Sequence, residues 1–220
     1  MHVPDGFMSP EVNAAAFAIS LAACGVAFNR GGEDDNRLAP LMGVTSAFVF
    51  AGQMINFPVA PGTSGHFLGA AFATALLGPS KALVAMCVTL ILQLLLFADG
   101  GVTAIGTNIF NMGVVACGTA YLSSALLSKL LPSSGRWPLF TSALSAWLSV
   151  TVSSAALALE LALSGTSPIG AAFPAIVGVH SIIGVGEALL TASALSVVLA
   201  ARPDIVRGIQ QRSAPAVMEA

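Results

Sequence analysis

The first two residues of the chain, Met1 and His2, could together bind a divalent transition metal. A histidine beside a free terminal amine offers three nitrogens to one ion: the amine, the His2 backbone nitrogen and His2 Nδ1. They form two fused chelate rings that are nearly free of strain. The backbone nitrogen must lose its proton, which only a strongly Lewis-acidic ion can drive. Three nitrogens in one plane leave room for a fourth, and planar nitrogen coordination favours Cu(II) or Ni(II), with low-spin Co(II) as another choice.

This chemistry requires an unblocked amine on Met1. No Lys or Arg precedes Arg30, so the basic start of a secretory signal peptide is missing and we expect no cleavage. Because His2 is a large second residue, we also expect the initiator methionine to be retained with its amine free.

The fourth nitrogen is expected from His66, because the chain has only one other histidine, His180. His66 stands at the predicted start of the third apolar segment, where Thr63 or Ser64 could cap a helix. The positive end of that helix would keep the imidazole neutral and able to ligate. The predicted metal ligands are Met1, His2 and His66.

Other polar residues could support the ligands or line the path of the metal. Asp5 could accept a hydrogen bond from a ligating imidazole, or be a solvated turn residue after Pro4. Asn108 and Asn111 lie one turn apart beyond an outer loop that contains Asp99. They could orient the ligands or only form hydrogen bonds between helices.

Three groups that can carry charge, Glu160, His180 and Glu187, fall within predicted membrane spans, where such groups are costly. His180 and Glu187 are two turns apart on one helix face. They could form a polar path, lock the bundle, contact a partner, or make only a structural hydrogen bond.

The composition belongs to a membrane protein. Of the 220 residues, 56% are hydrophobic and 8% charged, whereas a soluble domain is about 25% charged. The net charge of −2 and the lack of a basic face argue against nucleic acid as a partner. Each cysteine stands alone in an apolar run and is expected to be a small packing residue. The three are Cys24, Cys87 and Cys117.

Apolar runs predict about seven membrane-spanning helices, since a span needs about 20 such residues. They are 10–28, 38–56, 66–78, 80–98, 104–130, 137–163 and 172–200. With the N-terminus outside, all eight Lys and Arg residues fall in the four cytoplasmic segments, as the positive-inside rule requires. Those segments are 29–37, 79–81, 129–136 and 201–220.

The predicted fold is therefore an all-α membrane protein, a bundle of about seven transmembrane helices with the N-terminus outside and the C-terminus cytoplasmic. Residues 1–200 would form one transmembrane domain, with a metal-binding segment at 1–9 and a cytoplasmic tail at 201–220. Small residues in the spans predict close helix packing, either within the chain or against a membrane partner.

Five stretches spread over most of the chain resemble the CbiM/NikM family, the substrate-binding (S) component of energy-coupling factor (ECF) transporters for nickel and cobalt. They are MHVPDGFMSP at 1–10, SGHFLGA at 64–70, ADGG at 98–101, NIFNMG at 108–113 and HSIIGVGEA at 180–188. The resemblance implies seven helices and a metal near the outer surface, with ligands from Met1, His2 and His66.

The same resemblance implies the partners and the cargo. The partners are a transmembrane coupling (T) protein, a cytoplasmic ATPase dimer and a small accessory membrane subunit, in the plasma (inner) membrane of a prokaryote. Pro4-Asp5 resembles nickel members more than cobalt members, which commonly have Met-Glu there. We therefore expect Ni(II) as the transported ion, with Co(II) uptake for cobalamin synthesis as the alternative, and no organic cofactor.

Two other classes of function fit the sequence less well. An intramembrane metalloenzyme such as a zinc hydrolase would need an open metal position and a general base, but the chain has no HExxH motif. A stand-alone channel or carrier would need no ATPase, but the chain has no convincing internal repeat. The chain also lacks a P-loop, so we expect a non-catalytic subunit whose partners hydrolyse ATP.

Overall fold

The computed structural model describes residues 1–29, 38–59, 63–132 and 134–206. Within these ranges the chain is mostly helical, with one small β-hairpin and a final 3₁₀ turn at Pro203–Ile205. The helices are α1 Pro10–Asn29, α2 Ala39–Gln53, α3 Ala70–Leu77, α4 Pro79–Phe97, α5 Ile105–Leu130, α6 Trp137–Leu163 and α7 Ile169–Ala201.

Five of the described helices are long and apolar enough to cross a membrane: α1, α4, α5, α6 and α7. Their predicted bounds agree with the structure to within three residues at each end. Helices α2 and α3 fill the other two predicted segments but have only 15 and 8 residues. Prolines stand in the first turns of α1, α4 and α6, where no intrahelical N–H is needed.

The outward faces of the long helices are apolar, as a lipid environment requires. Phe28, Leu95, Leu122 and Ile182 are each more than 65% exposed, on α1, α4, α5 and α7. Polar side chains lie inside instead. Ser145, Ser149 and Ser153 of α6 are fully or almost fully buried, and Ser149 donates to the Ala116 carbonyl. The prediction of a helical membrane protein is confirmed.

Small residues bring the helices together within the chain. Ala70 and Ala73 of α3 and Ala146 of α6 are completely buried, so these parts of the predicted small-residue surfaces pack internally. The most extensive contact joins α6 to α7. Within α5, Phe110–Val115 forms a π-helical turn that contains Asn111.

His66 does not open the third helix, contrary to the sequence-based prediction. It ends strand β2, Thr63–His66, which pairs antiparallel with β1, Asn56–Val59. Helix α3 begins at Ala70 after Gly69, and no side chain caps it. Gly69 has φ 78°, and a Cβ there would lie 2.8 Å from Val49 Cγ2, so the chain turns from strand to helix through a glycine.

The two ends of the bundle differ in character. The described basic residues mark one end: Lys81 begins α4, Lys129 ends α5, Arg136 precedes α6 and Arg202 follows α7. His2 of the amino-terminal segment and Asn56 of the hairpin both lie beside Asp99, which follows the end of α4 and therefore marks the other end of the bundle. Arg30, Arg37 and the predicted tail beyond residue 206 lie outside the described residues.

Candidate metal centre

The amino-terminal segment is folded into the end of the bundle. Met1 and Val3 are each 1% exposed, and His2 is 4% exposed. The Val3 backbone N–H donates to Asn108 Oδ1 at 2.8 Å, and Asn108 Nδ2 donates to the Val3 carbonyl at 3.2 Å. The Gly101 N–H donates to the same carbonyl at 2.8 Å. Asn108 therefore holds the backbone beside the ligand candidates in place.

Asp5 anchors a loop and does not make the predicted contact with an imidazole. Its carboxylate accepts hydrogen bonds from the Thr103 N–H at 2.7 Å, the Thr103 hydroxyl at 2.6 Å and the Val102 N–H at 3.2 Å. The Thr103 hydroxyl is the main cause of the lowered pKa of Asp5. A short side chain that follows Pro4 is well suited to pinning such a turn.

The carboxylate beside the imidazole belongs to Asp99. Asp99 Oδ2 lies 3.5 Å from His2 Nε2, and Asn56 Nδ2 of strand β1 donates to Asp99 at 3.4 Å. Burial raises the pKa of Asp99 above its usual value. With Nε2 facing this carboxylate, His2 Nδ1 is the ring nitrogen left for a metal, as the chelate requires.

The Met1 amine and His66 Nε2 lie 2.8 Å apart. Two nitrogens about 2.0 Å from one ion and at right angles to each other are separated by about 2.8 Å. The pair therefore has the spacing of neighbouring ligands in a planar site. The amine also donates to the Ser64 carbonyl and lies 3.3 Å from Ser64 Oγ.

The tautomer of His66 suits ligation. Its Nδ1 lies 2.7 Å from the Phe67 carbonyl oxygen, which can only accept, so Nδ1 carries the hydrogen. The lone pair is then on Nε2, the atom that faces the amine. The His2 and His66 rings are 4.8 Å apart between centroids, so the structure brings together the three predicted ligand residues.

Gly100 lies beside the imidazole of His2 and the side chain of Asn108. A Cβ on Gly100 would lie 3.4 Å from His2 Nδ1 and 2.8 Å from Asn108 Nδ2. Gly100 also has φ +93°, a conformation that L side chains rarely adopt. A side chain at Gly100 would therefore collide with Asn108, whereas its contact with His2 Nδ1 would be an ordinary one.

Burial favours the unprotonated forms of the three candidate nitrogen groups. It lowers the pKa of the Met1 amine from 8.0 to about 4, against a smaller opposing effect of Asp99. It lowers the pKa of His2 from 6.5 to about 3, and the nearby amine adds to the shift. Burial is also the main reason that the pKa of His66 lies well below 6.5. At neutral pH all three groups present lone pairs, so an arriving cation does not have to displace their protons.

Side chains alone would not reveal this centre. Among the residues that the structure describes, no three His, Cys, Asp or Glu side chains are gathered in a way that could hold a metal. The candidate centre has two imidazoles, and its other nitrogens come from the main chain. The sequence signal was therefore the position of His2 beside the first amine.

His180 and Glu187, two candidates that were predicted within a membrane span, lie close to the candidate metal centre. His180 is fully buried, its Nδ1 donates to the Ile176 carbonyl at 2.8 Å, and its ring lies beside the Ser64 backbone. Glu187 accepts hydrogen bonds from the backbone just after His66.

Asn111 donates to Glu160 at 2.5 Å, which is the interhelical alternative considered for that asparagine. Cys24 of α1 and Cys87 of α4 are free cysteines whose sulfurs lie 2.9 Å apart. This contact was not predicted, but it is compatible with the expectation that the cysteines are small packing residues.

Known proteins resemble this chain in both fold and sequence. Over 91% of the chain and 99% of the other, the structure superposes on the crystal structure of a truncated transition-metal transporter, with a TM-score of 0.84 and 30% sequence identity. The chain is 33% identical over 98% of its length to a putative fused nickel transport protein NikMN of Archaeoglobus fulgidus, of which it covers 70%. It is 30% identical to the cobalt transport protein CbiM of Sorangium cellulosum, with 96% of each chain covered.

The apolar helices and these relatives define a multi-pass membrane protein of a prokaryote. Residues 2–205 match the family described as the cobalt uptake substrate-specific transmembrane region, CbiM. The chain belongs to the CbiM family, and the resemblance stated from its motifs is confirmed. Its relatives are named as nickel and cobalt transport proteins.

Proposed function

We propose that the chain is the metal-binding S component of an ATP-driven ECF transporter and that it imports Ni(II). The ion is held by the Met1 amine, the deprotonated His2 backbone nitrogen, His2 Nδ1 and His66 Nε2. Asp99 orients the His2 ring, and Asn108 orients the backbone that carries it. No residue of the chain performs covalent chemistry in this proposal.

The observation that carries the proposal is the 2.8 Å separation between the Met1 amine and His66 Nε2. These atoms come from positions 65 residues apart, and both are buried. An ion with planar coordination needs neighbouring nitrogen donors at this spacing, each with a free lone pair. The buried His2 beside them supplies the remaining two nitrogens.

Nickel is favoured over cobalt by the chemistry of this ligand set. An ion that displaces an amide proton and accepts four nitrogens in a plane is most readily Ni(II) or Cu(II). The Pro4-Asp5 start and the relative named as a nickel transport protein point the same way. Cobalt is the second candidate, because the family description and the Sorangium relative name it.

The proposed topology has seven spans, with the centre on the outer face and the C-terminus in the cytoplasm. It is supported by the basic residues at the opposite end of the bundle, which belong inside by the positive-inside rule. Residues 1–200 form the transmembrane domain, with residues 1–9 as the binding segment, and residues 201–220 form the tail. Helices α2 and α3 complete the count as short elements beside the longer spans.

The proposed partners are a coupling T protein, an ATPase dimer and a small accessory membrane subunit. Two features support them: the chain lacks a P-loop, and some relatives are named as fused proteins. A planar site filled by four nitrogens offers no position for a catalytic water, which weighs against a metalloenzyme.

Uptake of labelled nickel by cells that lack their own nickel importers tests this function. We expect accumulation only when the chain is expressed together with its coupling protein and ATPases, and we expect it to stop when the P-loop lysine of the ATPases is replaced. Cobalt, supplied in the same way, should enter more slowly. Equal accumulation by the chain alone would instead identify a stand-alone carrier.

A further inference from the structure

Glu187 of α7 holds the backbone that immediately follows His66. Its Oε2 accepts a hydrogen bond from the Leu68 N–H, and its Oε1 accepts one from the Gly69 N–H, both at 2.7 Å. The side chain is 2% exposed. Each oxygen of the Glu187 carboxyl group therefore accepts one backbone hydrogen bond.

The backbone carbonyl groups of residues 67–69 accept hydrogen bonds from other donors. Gln53 of α2 donates to the Leu68 carbonyl at 2.7 Å, and the Phe67 carbonyl accepts the His66 Nδ1 hydrogen, also at 2.7 Å. The Gly69 carbonyl accepts the first backbone hydrogen bond of α3, from Ala73. Only the two N–H groups of Leu68 and Gly69 depend on Glu187.

The two hydrogen bonds to Glu187 fix the orientation of His66 indirectly, through the Phe67 carbonyl. The Phe67 carbonyl, which selects the His66 tautomer, belongs to the peptide unit whose N–H is on Leu68. A hydrogen bond from that N–H to Glu187 therefore orients the carbonyl at the other end of the same plane. Strain or rotation at Leu68 would tilt the carbonyl and with it the imidazole.

We propose that Glu187 is a positioning residue for the metal: by accepting the Leu68 and Gly69 N–H groups, it holds His66 Nε2 at ligating distance and links α7 to the metal centre. This inference rests on the proposed function, because it assumes that His66 is a ligand. It assigns Glu187 neither to the coordination sphere nor to a separate path through the bundle.

The link has a consequence for release of the ion. A displacement of α7 against the hairpin would carry Glu187 away from the Leu68 and Gly69 N–H groups. His66 would then lose its orientation while the Met1 and His2 chelate stayed intact. Weakening at the fourth ligand is therefore expected to speed dissociation more than association.

Glu187→Gln tests the proposal, because glutamine has the same shape but offers one acceptor oxygen in place of two. Its amide NH₂ would face a backbone N–H, so one donor is left unsatisfied. We expect nickel affinity to fall by about 10- to 100-fold, the usual effect of losing a group that orients a ligand. The loss should lie mainly in the dissociation rate, measured by transfer of nickel from the purified full-length chain to a chelator.

The matched control is Glu160→Gln, the same change at another buried carboxylate, one that accepts from Asn111 of α5 and is 8% exposed. We expect it to leave nickel dissociation within about threefold of the parent, since it orients no ligand. The absorption spectrum of the nickel complex should also stay unchanged in this control, and that of Glu187→Gln should broaden.

Equal nickel dissociation from the parent and Glu187→Gln would overturn the inference, as would equal acceleration in both glutamine variants. If Glu187→Gln fails to fold, Glu187→Asp tests the same contact, because it keeps the carboxyl group but withdraws it by one methylene from the Leu68 and Gly69 N–H groups. Faster nickel release from that variant is expected, and unchanged release would count against the inference. A parent chain that binds no nickel would instead refute the proposed function itself.

Discussion

Adding two glycines before Met1 is expected to weaken nickel binding by about 100-fold or more. The added residues turn the Met1 amine into a peptide nitrogen and move the new amine away from the chelate. A single added residue would not serve, because it would make the histidine third in the chain and create a new planar chelate of one amine, two peptide nitrogens and one imidazole. Met1 is 1% exposed, and its nitrogen already touches Ser64 and His66, so the pocket has little room for another residue.

The expected loss of affinity is obtained by dividing the free energy of metal binding equally among the ligands. Binding of a metal by four protein ligands is worth about 10–16 kcal/mol, or about 3 kcal/mol for each ligand. Since every 1.4 kcal/mol is a factor of ten, loss of one ligand costs about 100-fold in affinity.

Nickel titration of the purified chain by calorimetry measures this loss, with the intact mass confirming the two added residues. A chain that carries the same two glycines after Ala220 is the control and should bind like the parent. If the amino-terminal glycines left the affinity unchanged, the amine would have no part in the site.

Replacing His66 with alanine is expected to reduce nickel affinity by about 100-fold, because the ion loses its fourth nitrogen and must take a water in its place. The three nitrogens of Met1 and His2 remain, so weak binding should persist. His2→Ala removes the side-chain nitrogen and with it one chelate ring, so its loss should be larger still. Both affinities can be measured by competition with a chelator of known strength.

His180→Ala is the comparison for the two ligand variants. It removes the remaining imidazole of the chain, which is buried beside the Ser64 backbone but has no assigned place on the ion. We expect a loss of less than about tenfold, as for groups that only neighbour a site. A loss at His180 that matched the loss at His66 would make His180 a ligand and revise the centre.

The sequence predicted the long helices well because lipid imposes one simple rule on them. A span must be apolar over its whole length, so hydropathy marks both of its ends. For α6 the predicted and observed bounds are identical, at 137–163. Side-chain periodicity was not needed for these predictions.

The hairpin that presents His66 escaped prediction. Its strands have four residues each, too few for an alternating pattern to stand out. Gly69 could be recognised as a glycine but not as the left-handed residue that delays α3 to Ala70. The prediction that His66 opens a helix capped by Thr63 or Ser64 was wrong for this reason. In the structure His66 Nε2 lies 2.8 Å from the Met1 amine.

The supporting contacts were the hardest to foresee. Glu187 meets residues 118 and 119 positions away, and Asn108 meets Val3 across 105 positions. Nothing local in the sequence distinguishes Asp5, which pins a loop, from Asp99, which faces His2. Such pairings depend on how the helices pack, and one sequence carries little information about that.

In the proposed site four nitrogens, including one amine and one deprotonated amide, surround a single ion in a plane. X-ray absorption at the nickel edge of the nickel-loaded, purified chain measures the number and distance of the neighbouring atoms. Magnetic susceptibility of the same sample gives the spin state of the ion. We expect four nitrogen neighbours at about 2.0 Å and a diamagnetic ion. Six nitrogen or oxygen neighbours around a paramagnetic nickel would contradict this expectation.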